Sequence, residues 1–376
     1  MGHDKKITTL FAGSPQPFEG IAYFYGSKLS HHMIEHLVRE NILRLTPYSS
    51  ARSEFKGTAS VFIDANENPF DTGLNRYPDP LQWKLKAQIA AWRGIGAEHI
   101  FLGNGSDEAI DLLVRIFCEP AQDHIVIAPP TYGMYQVSAD IANVGVRSVP
   151  LLKTFQPDVE AIFAQADAHS KLLFLCSPNN PTANDFQPER LRQLIGGFPG
   201  IVVVDEAYID FSSQPGCIAW LEEFPNLVVL QTFSKAWGLA GIRLGMAFAS
   251  EEIIALFNKV KPPYNVNELT QRAALEALAN LNKQAEWVRD ILLQRTLLTQ
   301  FLSGLEYVER IYPSDANFLL VKVRDANGLY RYLAEQGIIV RNRSSVPGCE
   351  GCLRITVGTP AQNERLLAAL AAVIRV

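Results

Sequence analysis

Short runs of Val, Ile and Leu alternate with helical patterns through the middle of the chain, and this alternation constrains the fold most. Six runs predict buried strands because each is apolar and most end at polar, Gly or Pro residues. They are residues 61–65, 100–102, 125–128, 172–176, 201–205 and 227–230. Helical patterns such as 107–117 and 188–195 lie between them. This order predicts an α/β fold with a mostly parallel central sheet flanked by helices, in which ligands bind beyond the carboxyl ends of the strands.

The pattern changes toward the C-terminus. A long helical pattern from about 267 to 302 precedes strand patterns at 318–323, 338–341 and 353–357 and helical patterns at 326–336 and 361–374. We therefore predict a large domain over residues 61–285 and a smaller α/β C-terminal domain over 286–376. An N-terminal arm over 33–60 precedes them, and residues 1–32 form an extension to which no role is assigned.

Composition excludes several classes of protein. The formal net charge of the 376-residue chain is −5, without the concentrated basic face that a nucleic-acid partner requires. The longest apolar run, 366–374, is far shorter than the ~20 residues of a membrane-spanning helix. Five cysteines, an odd number, argue against a disulfide framework. We therefore expect a cytoplasmic protein that binds neither nucleic acid nor membrane.

Two of the cysteines, Cys349 and Cys352, form a CxxC pattern. Neither a second CxxC nor a neighbouring His accompanies it, so we interpret it as a tight turn that enters a strand, and we predict no metal site. Metal or redox use of this pair is the alternative.

The most specific segment is TFSKAWGLAGIRLG, residues 232–245, which follows a predicted strand. The amine of Lys235 can form a Schiff base with an aldehyde, while Ser234 and Arg243 can bind a phosphate attached to that aldehyde. The glycines of the segment allow a tight turn that directs Lys235 and Arg243 to one site. A surface lysine beside a structural turn is the alternative.

Three other segments place polar residues at strand ends. Asp205 ends the strand of VVVDEAY, and a buried carboxylate there needs a cation, such as a protonated pyridine nitrogen. Tyr208 and Asn180, the latter in CSPNNPTA, could both bind an oxygen of the same ring. The turn LGNGSDE at 102–108 offers free N–H groups to an anion. A helix-capping Asp and a plain Asn-Pro turn are the alternatives.

These four segments, in this order, resemble the fold-type I pyridoxal-phosphate (PLP) aminotransferases. Further motifs narrow the resemblance to the histidinol-phosphate aminotransferase family and extend it over about residues 33–376. They are LTPY at 45–48, DANENPF at 64–70, RYPDP at 76–80, PTYGMY at 130–135, KPPYNVN at 261–267, IVRNRSS at 339–345 and GCLRITVGT at 351–359.

The resemblance implies a role for each candidate residue. The implied catalytic residues are Lys235 (Schiff base and proton transfer), Asp205 (pyridine nitrogen) and Tyr208 (ring oxygen). Cofactor contacts are implied for Ser106, Asp107, Tyr132, Asn180, Ser234, Arg243 and, from the neighbouring subunit, Tyr77. Substrate contacts are implied for Tyr48, Asn68, Tyr264, Arg341 and Arg354. The resemblance thus implies a homodimer with shared active sites.

The implied reaction is a ping-pong transamination between glutamate/2-oxoglutarate and histidinol phosphate/imidazole acetol phosphate, in histidine biosynthesis. A threonine-phosphate decarboxylase or another amino-acid aminotransferase on the same scaffold is the first alternative, and a regulator without turnover is the second. Two residues depart from the family pattern. Ala183 stands where Gly is usual, and Trp237 stands where Phe is commoner.

Overall fold

The structure is a computed structural model that describes residues 32–49, 57 and 59–373. The predicted extension lies outside the described residues except for His32. The described helices are α1 (His32–Glu35), α2 (Glu40–Arg44), α3 (Trp83–Arg93), α4 (Ser106–Phe117), α5 (Met134–Ile141), α6 (Val159–Gln165), α7 (Pro188–Gly197), α8 (Glu251–Val260), α9 (Glu268–Leu278), α10 (Leu281–Ser303), α11 (Ala326–Glu335) and α12 (Pro360–Ala372).

A seven-stranded sheet forms the centre of the large domain. Its strands are β1 (Ile100–Asn104), β2 (His124–Ile127), β3 (Gly145–Ser148), β4 (Ser170–Cys176), β5 (Ile201–Asp205), β6 (Leu227–Thr232) and β7 (Leu244–Ala249), in the spatial order β1-β7-β6-β5-β4-β2-β3. Neighbouring strands are parallel, except that β7 is antiparallel to both β1 and β6. The prediction of a mostly parallel sheet is confirmed.

Hydrophobic burial on both faces of this sheet accounts for its composition. Every residue of β5, β6 and β7 is buried, as expected for strands that helices cover from both sides. On one face, α4 buries an apolar stripe against the sheet, and Ile110 and Leu113 are fully inaccessible to solvent. The packing fixes the carboxyl ends of the parallel strands at one edge of the sheet.

One strand prediction for this sheet is wrong, and two strands were missed. Residues 61–65 are irregular rather than a buried strand, and Val61 and Ile63 are 71% and 90% exposed. This run is apolar, but no strand in the described part of the chain pairs with it. The sequence reading also missed β3, which is short and largely exposed, and β7, which follows the lysine segment and contains Gly and Ala.

The C-terminal part contains a second sheet of four antiparallel strands. It comprises β8 (Val308–Ile311), β9 (Phe318–Val323), β10 (Arg341–Asn342) and β11 (Cys352–Thr356), in the order β10-β11-β9-β8. Leu298, Leu353 and Leu370 belong to its separate hydrophobic core with α10, α11 and α12. The predicted smaller C-terminal α/β unit is therefore present.

Details of the C-terminal predictions differ from the structure. The helical pattern at 267–302 is divided into α9 and α10, the predicted strand at 338–341 is shifted to β10, and β8 was missed. The domain boundary between residues 285 and 286 falls inside α10 and stays a prediction.

The CxxC pair forms a tight turn, in agreement with its structural interpretation. The N–H of Cys352 donates to the carbonyl oxygen of Cys349 over 3.0 Å, and Cys352 begins β11. All five cysteines are buried and free. Among the described helices, none has the length and apolar character needed to cross a membrane.

Candidate active site

Asp205 lies at the carboxyl end of β5, in the interior of the protein. Its side chain is 2% exposed. Oδ1 accepts a 3.1 Å hydrogen bond from the N–H of Ala207, and Oδ2 accepts a 2.8 Å bond from the hydroxyl of Tyr135. Burial raises the pKa of this carboxyl to about 6, against the opposing effect of the Tyr135 hydrogen bond. A cationic partner would stabilise the ionised form of this buried group.

Lys235 lies on the turn that follows β6, close to Asp205 and Tyr208. Its Nζ is 5.5 Å from the centre of the Tyr208 ring. Burial, and then the positive charge of Arg354, lower the pKa of the amine, while Asp205 acts in the opposite direction. A lowered pKa increases the fraction of neutral amine, which is the form that reacts as a nucleophile or accepts a proton.

A candidate anion site lies beside Lys235, where β1 leads into α4. We call it the cradle and define it as Gly105, Ser106, Ser234 and Arg243. Gly105 precedes the helix with φ of 73°, a left-handed conformation that favours glycine. Within the described residues, no side chain caps this helix, so its first N–H groups are available to a ligand. A Cβ atom on Gly105 would stand 2.7 Å from Nη2 of Arg243, which places that guanidinium directly against the turn.

Neighbouring residues hold the two sides of the cradle together. A Cβ atom on Gly245 would stand 2.1 Å from the backbone nitrogen of Ser106, so β7 can approach this turn only because residue 245 is glycine. Nη2 of Arg243 lies 3.6 Å from Oδ2 of Asp107. The hydroxyl of Ser234 is 2.9 Å from that of Thr232, at the end of β6. Cations and N–H donors therefore surround one space that suits a phosphate.

Three side chains border the space between the cradle and Asp205. Tyr132 donates a 3.0 Å hydrogen bond to Oδ1 of Asp107. Oδ1 of Asn180 accepts a 2.6 Å bond from Nη1 of Arg354, which leaves the amide N–H₂ of Asn180 available as a donor. Tyr208 is 8% exposed and packs edge-on against Phe318. This donor set fits a flat ring that carries a phosphate, an oxygen substituent and a basic ring nitrogen.

The structure brings most of the predicted residues into this one group. Described contacts or electrostatic interactions connect Lys235, Asp205, Tyr208, Asn180, Tyr132, Asp107, Arg243 and Arg354. Ser106 and Ser234 lie at the cradle. Arg341 lies opposite Arg354 in the pairing of β10 with β11.

For four predicted residues, the described part of the chain gives no direct contact with this group. Tyr48 is 76% exposed, and the described part of the chain contains no hydrogen bond or ring contact that joins it to Lys235. Asn68 is exposed, and its Oδ1 accepts a hydrogen bond from the N–H of Phe70. Tyr77 and Tyr264 stack on each other with ring centres 4.4 Å apart. Their predicted roles in the site stay predictions.

Sequence reasoning assigned no role to Tyr135 or to Arg343. Tyr135 is fully buried, stacks on Phe174 and donates to Asp205. Its ring lies edge-on to that of Tyr132, with ring centres 5.6 Å apart, and the closeness of the two tyrosines in the sequence was the available signal. Arg343 lies just beyond β10, on the side of the strand where Arg341 lies, and strand alternation was the signal for it.

The two departures from the family pattern have different structural consequences. Ala183 has φ of 71°, so it adopts the left-handed conformation that is strained for a residue with a Cβ atom. Trp237 is 3% exposed and lies edge-on to Trp92, with ring centres 5.0 Å apart. The larger ring of Trp237 therefore extends the apolar packing next to Lys235.

The chain matches a known enzyme family over most of its length. Residues 54–370 match the family described as "Aminotransferase class I and II". The fold and the site therefore define a class: the protein is a PLP-dependent aminotransferase of class I and II, and PLP is its cofactor.

Individual relatives narrow this class. The histidinol-phosphate aminotransferase of Cytophaga hutchinsonii is 54% identical over 89% of this chain and 97% of its own length. The histidinol-phosphate aminotransferase of Parabacteroides distasonis is 55% identical over 90% of this chain and 98% of its own length. A crystal structure of the Sinorhizobium meliloti histidinol-phosphate aminotransferase with pyridoxal-5'-phosphate has a TM-score of 0.73 and 25% identity, and the match covers 80% of this chain and 83% of that one. The chain belongs to the histidinol-phosphate aminotransferase family.

Proposed function

We propose that this enzyme transfers an amino group between glutamate/2-oxoglutarate and histidinol phosphate/imidazole acetol phosphate, as a step of histidine biosynthesis. The observation that carries the proposal is the convergence of Lys235, Asp205 and the cradle at α4 on one space. The relatives described above, more than half identical to this chain and named for that substrate, support it.

Bound PLP supplies an aldehyde that accepts amino groups and a ring that withdraws electrons from the substrate Cα. Lys235 would hold that aldehyde as a Schiff base, with the release of water, and in its neutral form it would remove and return a proton at Cα of the substrate. Asp205 would keep the ring nitrogen protonated. Asn180 and Tyr208 would donate to the ring oxygen, and Tyr132 would stack on the ring. Ser106, Asp107, Ser234 and Arg243 bind the phosphate of PLP.

The substrates place different anions in the same pocket. We assign Arg354 to the carboxylate of glutamate, because a guanidinium matches two carboxylate oxygens. In the described structure Arg354 donates to Asn180, so its side chain is already held near the ring position. Tyr48, Asn68, Tyr264 and Arg341 are assigned to the phosphorylated substrate.

Replacement of Lys235 by Ala tests the mechanism. We expect this variant to lose turnover by at least about 10⁴-fold, because both covalent binding and proton transfer depend on the amine. Lys153→Ala is the matched control, since this lysine is exposed and lies outside the proposed site. The measurement is the formation of histidinol phosphate from imidazole acetol phosphate and glutamate, with the product identified by mass spectrometry. Near wild-type turnover by Lys235→Ala would exclude the mechanism.

Product identity also separates this activity from the decarboxylase alternative. Carbon dioxide released from threonine phosphate, without transamination of histidinol phosphate, would contradict the proposed substrate. A panel of aromatic amino acids tests the remaining alternative in the same assay.

We further propose a cytoplasmic homodimer with shared active sites. Tyr77 is 51% exposed, and the irregular segment that contains it also exposes Phe70 (78%) and Ile63 (90%). Several large apolar side chains exposed in one segment are consistent with a surface that a protein partner covers. In such a dimer Tyr77 reaches the phosphate of the PLP bound by the other subunit.

A further inference from the structure

Arg343 belongs to an arginine cluster in the small sheet, which we define as Arg341, Arg343 and Arg354. Arg341 pairs directly with Arg354 between β10 and β11. The N–H of Arg343 donates to the carbonyl oxygen of Cys352 over 2.9 Å, so the strand pairing continues to residue 343. Because side chains alternate along a strand, Arg343 projects to the same face as Arg341. Directly opposite residues also share a face, which adds Arg354 to the cluster.

This arrangement is unfavourable without a ligand. Like charges directly opposite each other destabilise a pair of strands. Within the described residues, no carboxylate forms an ion pair with any member of the cluster. A group of cations without anionic partners, at one end of a substrate pocket, is the arrangement expected of an anion site.

Arg343 is the member whose own hydrogen bonds are incomplete. Its Nε is buried and has no hydrogen-bond partner, and the adjacent Oγ of Ser344 is buried and unpartnered as well. Burial and the charges of Arg354 and Arg341 lower the pKa of Arg343, while Cys349 and Tyr208 act in the opposite direction. A guanidinium stays protonated in proteins, so its uncompensated charge remains. Its proximity to Tyr208 and Arg354 places it beside the proposed reaction site.

We propose that Arg343 is an additional substrate-binding residue, which makes the pocket select the phosphate dianion of a phosphorylated amino compound. One guanidinium suffices for a carboxylate, because a fork of two N–H groups matches its two oxygens. A phosphate has three oxygens and up to two negative charges, and it therefore benefits from a second and a third arginine. The inference rests on the proposed function for the identity of the natural substrate.

Replacement of Arg343 by Gln removes the charge while retaining polar groups. We expect KM for the phosphorylated substrate to rise about ten- to a hundredfold, as for the loss of a charge-assisted hydrogen bond. The half-reaction with glutamate, followed by the absorbance of PLP, changes several-fold less, since Arg354 binds the α-carboxylate and the side-chain carboxylate carries one negative charge rather than two. Arg343→Lys keeps the charge without the planar fork and regains part of the lost affinity. Arg324→Gln, an exposed arginine of the same domain, is the control.

Three outcomes would overturn the inference: an unchanged KM for the phosphorylated substrate, an equal loss for glutamate, or loss of PLP from the Arg343→Gln protein. If that variant does not fold, Arg343→Lys carries the same test, with an expected rise of a few-fold in KM for the phosphorylated substrate alone.

Calorimetric titration of the wild-type and Arg343→Gln holoenzymes with inorganic phosphate separates this inference from the proposed function. Phosphate binding that is weakened by the substitution, in an enzyme that does not turn over histidinol phosphate, would contradict the function and support the inference. Normal turnover of histidinol phosphate with unaltered phosphate binding would support the function and contradict the inference.

Discussion

At the scale of single residues, Tyr135 acts on the ionisation of Asp205 through one hydrogen bond. The hydroxyl of Tyr135 lowers the pKa of Asp205, which burial raises to about 6. In Tyr135→Phe the pKa of Asp205 therefore rises further, and the carboxylate is protonated at a higher pH. We expect the dissociation constant for PLP at pH 6 to increase about tenfold, with a smaller change at pH 8.

Titration of the apoprotein with PLP at several pH values measures this effect. Tyr332→Phe is the matched control, because its hydroxyl also donates one hydrogen bond, to Ala369, but in the small domain. An equal loss of affinity at both pH values would show that Tyr135 acts on the site by some route other than the ionisation of Asp205.

Ala183 provides a prediction for stability. Its φ of 71° is strained for alanine and accessible to glycine. We expect Ala183→Gly to stabilise the protein by about 1 kcal/mol, which corresponds to a rise of about 1–2 °C in Tm. The control is Ala274→Gly, a buried alanine inside α9, where glycine lowers Tm because it weakens a helix. A lower Tm for Ala183→Gly would mean that the methyl group of Ala183 contributes more to packing than its backbone conformation costs.

At the residue scale, local chemistry was enough to identify Lys235, Asp205 and Arg243 as candidates. The chemistry of each side chain, together with its position near the end of a predicted strand, indicates its role in the site. Tyr135 and Arg343 were missed because their importance depends on a partner distant along the chain, Asp205 for the first and Arg354 for the second.

At the scale of elements, Glu206 lies directly after β5 and connects that strand to its surroundings. Oε1 accepts a 2.6 Å hydrogen bond from the N–H of Cys217, and Oε2 accepts a 2.9 Å bond from Nε2 of Gln231. Burial raises the pKa of Glu206 to about 7. Because the pKa is higher in the folded state, the stability contributed by the protonated form is complete below pH 4.5 and is lost as the pH rises through about 7.

Replacement of Glu206 by Gln removes this titration. We expect Glu206→Gln to be more stable than the wild type at pH 8, by on the order of 3 kcal/mol, and nearly equal at pH 4.5. The amide introduced by this substitution can donate to Oε1 of Gln231, which is buried without a partner in the structure. Urea unfolding at both pH values is the measurement, with Glu222→Gln, an exposed glutamate, as control. A variant less stable than the wild type at pH 8 would contradict the expected protonation of Glu206.

The sequence predicted best those elements whose amino-acid composition has one dominant cause. The strand at 201–205 and the strand at 318–323 were located with their observed bounds, because nearly complete burial makes all but one residue of each strand apolar. The run at 61–65 shows the opposite case. Its apolar residues are exposed in the single chain, and periodicity does not distinguish burial in a core from burial against a second subunit.

At the scale of the whole molecule, the proposed dimer with shared sites makes a prediction for hybrid enzymes. A dimer of one Lys235→Ala subunit and one Tyr77→Ala subunit concentrates both defects in one site if Tyr77 serves its neighbour. The other site is then intact, and we expect about half of the wild-type activity per dimer. Unshared sites would limit the hybrid to at most half of the activity of the Tyr77→Ala homodimer.

Co-expression of the two subunits with different affinity tags isolates the hybrid. Both homodimers, purified from the same preparation, are the controls. Size-exclusion chromatography with light scattering establishes whether the wild-type protein is dimeric, and a monomer would contradict the shared site.

The reversed direction of β7 affects how the catalytic groups respond to motion. Lys235 follows β6 and Arg243 precedes β7, so the turn of residues 233–243 joins both to adjacent paired strands. Arg354, by contrast, belongs to β11 of the other sheet. The backbones of the residues assigned to the cofactor are therefore joined to one sheet, whereas the arginine assigned to the substrate carboxylate comes from the other. A rotation of one sheet relative to the other would change the distance between these two groups without breaking a strand pair.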